Sequence, residues 1–137
     1  MVRIVGYSWT GVYADDFEEA IGFFADKLGL PLEWRQEDAD FAGFRLPSGQ
    51  LLELFGPRWA DTHGPYEGAH PSTSPILGFE VEDVEEAREE LASRGVEFVT
   101  EAMEFEGGAS SAKFLGPDGR VYEVWRPEER YRMGRQL

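Results

Sequence analysis

The chain repeats itself, and the repeat limits what it can fold into. Asp15-Asp16-Phe17-Glu18-Glu19-Ala20 returns as Glu82-Asp83-Val84-Glu85-Glu86-Ala87, displaced by 67 positions. Leu28-Gly29 returns as Arg94-Gly95, displaced by 66. Pro47-Ser48-Gly49-Gln50-Leu51-Leu52-Glu53 returns as Pro117-Asp118-Gly119-Arg120-Val121-Tyr122-Glu123, displaced by 70. Each match is weak alone, but three in one order imply an internal duplication. The growing offset places about three extra residues after the second helix.

Each copy reads as strand, helix, then three strands. Residues 3–14 are rich in aromatic and branched residues, and alternation places Trp9, Gly11 and Tyr13 on one face. Asp16 is the expected helix cap, with Glu19 completing a capping box. Phe17, Ala20, Ile21, Phe24 and Leu28 supply an apolar stripe, and Gly29 a stop. Strands follow at 31–38, 41–46 and 51–55. The second copy predicts a strand at 76–81 and a helix capped by Asp83 with Glu86. Its later strands fall at 97–103, 110–115 and 121–126. Between the copies, Gly56, Pro57, Gly64, Pro65, Gly68, Pro71 and Pro75 predict an irregular linker. The organisation expected is one domain: a βαβββ module over 4–56, a linker over 57–75, a second module over 76–127, and a polar tail over 128–137.

Each copy is only about 55 residues, a marginal size alone, so the modules should share a core or dimerise. Each helix covers one sheet face, which leaves the other free to close against its twin. Strand alternation puts Trp9, Tyr13, Leu51, Glu53, Phe55, Ile76, Glu80, Val121, Glu123 and Trp125 on that inner face. Three of these are carboxylates, which are costly to bury unpaired, so a cavity is expected rather than a plain core.

Charge and residue usage exclude several classes. With 13 basic and 27 acidic residues the formal net charge is −14, which repels nucleic-acid phosphates and anionic membranes. No cysteine is present, which removes thiol nucleophiles, thiolate metal sites and disulfides. No apolar run approaches the roughly 20 residues a membrane span needs. A cytoplasmic protein is expected.

Glu53 and Glu123 are the sharpest pair, at matching positions of the duplicated last strands. They could act as acid and base, hold a metal, or be structural acids paired with Arg45 or Lys113. The rings of Trp9, Tyr13, Trp34, Phe55 and Trp125 could line a pocket or simply fill a core. With the carboxylates they could also cage a cation.

Residues Asp16 through Leu30, ending Lys27-Leu28-Gly29-Leu30, resemble the first helix of the vicinal oxygen chelate superfamily. Gly116 through Glu123 resembles its last hairpin. That group includes glyoxalase I, extradiol dioxygenases, and fosfomycin and bleomycin resistance proteins. The resemblance covers residues 4–127 and implies an α+β fold of two βαβββ modules forming a cupped mixed sheet. It also implies metal ligands on the first and last strands of each module. The last-strand positions fall on Glu53 and Glu123. The first-strand positions fall on Trp9 and Ile76, and neither residue offers a lone pair for a metal.

The function expected is a metal-free small-molecule binder with an aromatic and carboxylate-lined cavity, similar to the bleomycin-resistance type. Ligand-binding candidates are Trp9, Tyr13, Trp34, Phe55, Ile76, Glu80, Val121 and Trp125. The ligand is expected to be aromatic or cationic, the assembly a homodimer, and no cofactor is needed. The alternative is an enzyme of lyase, isomerase or dioxygenase type. It would use Glu53 and Glu123 as acid and base, or as a reduced divalent-metal site with His63 or His70 swinging in.

Overall fold

The computed structural model describes residues 2–133. The chain forms two compact units: Trp9–Ile76, and Met1–Ser8 with Leu77–Leu137. The second unit therefore takes in the N-terminal residues as well as the second copy of the repeat.

In the Trp9–Ile76 unit the elements are β1 (Gly6–Tyr13), which begins just before it, α1 (Phe17–Gly22), β2 (Leu32–Gln36), β3 (Phe41–Arg45), β4 (Leu51–Phe55) and α2 (Pro57–His63). The strand order is β2-β3-β4-β1. Strands β2, β3 and β4 pair antiparallel, and β1 joins β4 in parallel. The parallel contact is possible because α1 lies between β1 and the rest, as a crossover requires. The Asp16 carboxylate accepts the Glu19 N–H at 3.0 Å, which is the predicted cap. Phe17 and Ile21 of α1 pack on Ala42, Phe44 and Leu54, with Val12 and Leu52 at the margin. Phe44 and Leu54 are fully buried, worth about 1.5–3 kcal/mol each.

The predicted helical stripe breaks at its end. Beyond Gly22 the helix widens into a π turn over Phe23–Lys27, where the Leu28 N–H reaches back to the Phe23 carbonyl at 3.0 Å. The wider turn rotates later positions out of the 3.6-residue register. Leu28 is consequently exposed rather than part of the stripe.

The linker is also more ordered than its glycines and prolines suggest. Pro57 opens α2, where its fixed φ suits a first helical position, and Gly64 ends it. Trp59 anchors this helix against Phe41 and Phe55, with ring centroids 4.8 and 5.5 Å apart. A propensity reading sees the helix breakers and misses the anchor.

The other unit contains β5 (Ile76–Glu80), which enters it at Leu77, α3 (Val84–Ser93), β6 (Glu97–Phe98), β7 (Met103–Glu104), β8 (Ser110–Leu115) and β9 (Val121–Arg126). The order is β5-β9-β8-β6, with β7 also on β8. Here β5 joins β9 in parallel, repeating the β1–β4 arrangement. Asp83 caps α3 by accepting the Glu86 N–H at 3.0 Å. Val84 and Ala87 pack with Val81, Ala112 and Val124. The strand expected over 97–103 is two short pieces, 97–98 and 103–104, on one partner strand.

The tail is tied down as far as it is described. Glu129–Tyr131 form a short 3-10 turn, and Arg132 pairs with Glu82 and Glu129. The rest of the expected polar tail, residues 134–137, lies outside the described residues.

Candidate functional site

In the Trp9–Ile76 unit one row of the sheet holds the distinctive chemistry. Trp34, Gly43, Glu53 and Gly11 are successive cross-strand partners on β2, β3, β4 and β1. Partners across a ladder share a face. Leu52 and Leu54, which flank Glu53, pack toward α1, so Glu53 points to the side away from that helix.

The two glycines make room for two indoles. A Cβ on Gly11 would lie 2.4 Å from Cη2 of Trp9, and a Cβ on Gly43 would lie 2.2 Å from Cζ2 and Cη2 of Trp34. No real side chain tolerates such distances, so both rings lie directly over bare backbone. Glycine inside a strand usually marks such a close approach. The Trp9 indole then donates Nε1–H to Glu53 Oε1 at 2.6 Å. This bond to a charged acceptor holds the carboxylate in one orientation. The Trp34 Nε1 is itself buried and has no hydrogen-bond partner among the described residues.

Aromatic rings continue from this row. Trp34 meets Phe41 at 5.8 Å, and Phe41 stacks on Phe55 at 5.1 Å. Both touch Trp59, which stacks flat on His63 at 3.6 Å. Phe55 is therefore part of an aromatic chain rather than an isolated wall. Tyr13 is half-buried, and its backbone N–H donates to Ser74 Oγ at 2.9 Å.

The other unit treats its acids differently. Glu123 Oε2 lies 3.3 Å from Lys113 Nζ, and both side chains are buried. Burial pushes the Glu123 carboxyl above its ordinary range, and Lys113 and a hydrogen bond from Ser111 oppose that push. Glu80 is also buried. It accepts Ser8 Oγ–H at 2.6 Å on one oxygen and the Met133 backbone N–H at 2.7 Å on the other. Trp125 donates Nε1–H to that same Ser8 oxygen at 3.0 Å. Val121 is a buried aliphatic position in this unit, and Ile76 is one at the end of the Trp9–Ile76 unit.

The structure thus brings together Trp9, Trp34 and Glu53 in one unit, and Glu80, Trp125 and Ser8 in the other. Glu123 has the Lys113 partner that the sequence left open. Reasoning from sequence missed Gly43, Trp59 and Ser8 as site-building residues. A glycine in mid-strand beside an aromatic-rich strand was the available signal for Gly43.

Divalent metal does not fit the residues present. The first-strand positions hold Trp9 and Ile76, and Glu123 is committed to Lys113. Among the described residues no group of three or more His, Asp or Glu is placed to hold a metal ion. His63 is stacked on Trp59, with Nδ1 within 2.8 Å of the Thr62 hydroxyl, and His70 Nδ1 is 2.9 Å from the Ser72 hydroxyl.

A cleft of about 610 Å³ lies elsewhere in the Trp9–Ile76 unit, lined by acids that include Asp15, Asp16, Glu37 and Asp40. None of Trp9, Trp34 and Glu53 lines it. Among the described residues, no helix is long and apolar enough to cross a membrane.

Two βαβββ modules, each with a parallel first strand beside its last, give the fold of the vicinal oxygen chelate proteins. The chain belongs to the Glyoxalase/Bleomycin resistance protein/Dioxygenase superfamily, whose family model matches residues 6–124. It is 28% identical to the Bacillus subtilis (strain 168) protein YraH over 117 residues, 82% of this chain and 91% of that protein. Methylmalonyl-CoA epimerase from Mycobacterium tuberculosis has a similar fold, with TM-score 0.67 and 22% identity over 93% of this chain and 91% of that one. A Mn(II)-bound glyoxalase from Novosphingobium aromaticivorans is similar at TM-score 0.67 and 18% identity, over 93% of this chain and 40% of that one.

Proposed function

We propose that this chain is a small-molecule-binding protein whose site is the Trp9–Trp34–Glu53 face, and that it binds an aromatic or cationic ligand without a metal. The observation that carries this is the Glu53 carboxylate, fixed by the Trp9 N–H and set between two indoles that lie over glycine backbone. Flat rings provide stacking area, and a carboxylate among rings favours positive charge. The acidic balance of the chain adds long-range attraction for a cation.

Calorimetric titration with N-methylquinolinium, a planar cation, tests the proposal. Binding should weaken about tenfold or more in Glu53→Gln, equivalent to about 1.4 kcal/mol. Equal affinity in wild type and Glu53→Gln would remove Glu53 from the site and end the proposal. Light scattering on the eluting protein checks the accompanying expectation of a homodimer.

A second reading keeps the site and makes Glu53 a proton acceptor. It is favoured by the partial exposure of Glu53, which lets a substrate approach, and by the fold similarity to methylmalonyl-CoA epimerase. Solvent deuterium entering a carbon acid in wild type, but not in Glu53→Gln, would select it.

A further inference from the structure

The orphaned donor beside Glu53 narrows the ligand class. Buried polar groups are almost always hydrogen-bonded, so a buried indole N–H without a partner calls for an explanation. Trp34 Nε1 is such a group. The ring is fixed over Gly43, with Cε2, the carbon bonded to Nε1, only 2.4 Å from where a Cβ would stand. Gly43 is the ladder partner of Glu53 on the next strand. Gly43 and Glu53 stand on neighbouring strands about 4.8 Å apart and share a face, so the ring over Gly43 and the Glu53 carboxylate occupy adjacent positions of that face. Filling the space over Gly43 requires only a flat ring. It does not require an N–H, which phenylalanine lacks.

The two groups have opposite hydrogen-bonding character. An indole N–H only donates, and an ionised carboxylate only accepts. Glu53 Oε1 already takes the Trp9 N–H, and a carboxylate has capacity for further donors. A simple cation would answer Glu53 and leave Trp34 unpaired. A ketone or ether would do the reverse.

We infer that this face recognises a planar group with an acceptor beside a donor, such as a primary carboxamide or a lactam, whose oxygen accepts from Trp34 Nε1 and whose N–H donates to Glu53. The inference rests on the proposed small-molecule site and adds the chemistry that it selects. Trp34 is then a specificity-determining residue, and its nitrogen separates carboxamides from amidines of the same shape.

Three probes of nearly equal size test it: benzamide, benzamidinium with donors only, and N,N-dimethylbenzamide with an acceptor only. Calorimetry is run on wild type and on Trp34→Phe, which keeps a ring over Gly43. Benzamide should bind the wild type and lose about tenfold or more in Trp34→Phe. Benzamidinium should be indifferent to that change, and N,N-dimethylbenzamide should bind more weakly than benzamide. Should Trp34→Phe fail to fold, the indole N–H resonance of Trp34 in wild type must still move on adding benzamide and stay put with benzamidinium. Loss of benzamide and benzamidinium affinity alike in Trp34→Phe, or benzamide failing to bind while the cations do, overturns the inference and leaves the binding proposal standing. Failure of all these probes and of N-methylquinolinium overturns both.

Discussion

The two units solve the same chemical problem in different ways. In each, a glutamate stands on the last strand with a glycine beside it on the parallel first strand: Glu53 beside Gly11, and Glu123 beside Gly78. The antiparallel neighbour decides the rest. Beside Glu123 it is Lys113, whose ammonium is buried against the carboxylate. Beside Glu53 it is Gly43, at the position 70 residues before Lys113, and the Trp34 ring fills the space above it. One acid is neutralised by its own chain. The other is oriented by an indole and remains partly exposed. The copies differ at Gly43 against Lys113 and at Trp9 against Ile76, and with these differences one copy holds a structural ion pair and the other the candidate site.

The comparison breaks most visibly at Lys113. Lys113→Met leaves the Glu123 carboxylate buried without its cation, and should cost about 3–5 kcal/mol in urea unfolding. The double variant Lys113→Met with Glu123→Leu should recover most of that loss, because apolar replacements of a buried pair are often neutral or better. A single variant as stable as wild type would mean that Glu123 needs no cation.

Gly43→Ala tests the other side. Its methyl group would run into Trp34, so the ring must move, at a cost of about 1–3 kcal/mol. Adding Trp34→Ala should return part of it. Trp9→Phe keeps the ring and removes the bond to Glu53, for a smaller loss of about 1 kcal/mol, since Glu53 can turn to water.

The smallest effect is in pH dependence. Burial holds the Glu123 pKa above its reference of 4.5 despite Lys113, so protonation costs the folded chain less than the unfolded one. That contribution to stability is complete below pH 4.5 and is lost as pH rises through the raised value. Denaturation midpoints should therefore fall with pH more steeply in wild type than in the Lys113, Glu123 double variant. Parallel slopes would show that Lys113 cancels the burial effect.

Much of the molecule was legible beforehand. The duplicated capping boxes at Asp16 and Asp83 predicted both helices, because a cap is a local hydrogen bond written within four residues. Alternation put Trp9 and Gly11 on one face of their strand, and the ladder pairs Gly11 with Glu53. Two features escaped. The π turn after Gly22 exposes Leu28 through a one-residue change in helical register that composition does not encode. The α2 helix is anchored by Trp59 on Phe41 and Phe55, contacts made by residues from other strands.

The sequence alone determined the repeat and the α+β class and singled out Glu53, Glu80 and Glu123 as candidate acids, since each follows from spacing along the chain. Tertiary structure decided what each acid does. Lys113 takes Glu123, Ser8 and the Met133 N–H take Glu80, and the Trp9 indole takes Glu53. Spacing says which way a side chain points, but its charge and reach depend on the neighbour that another strand brings within hydrogen-bonding distance.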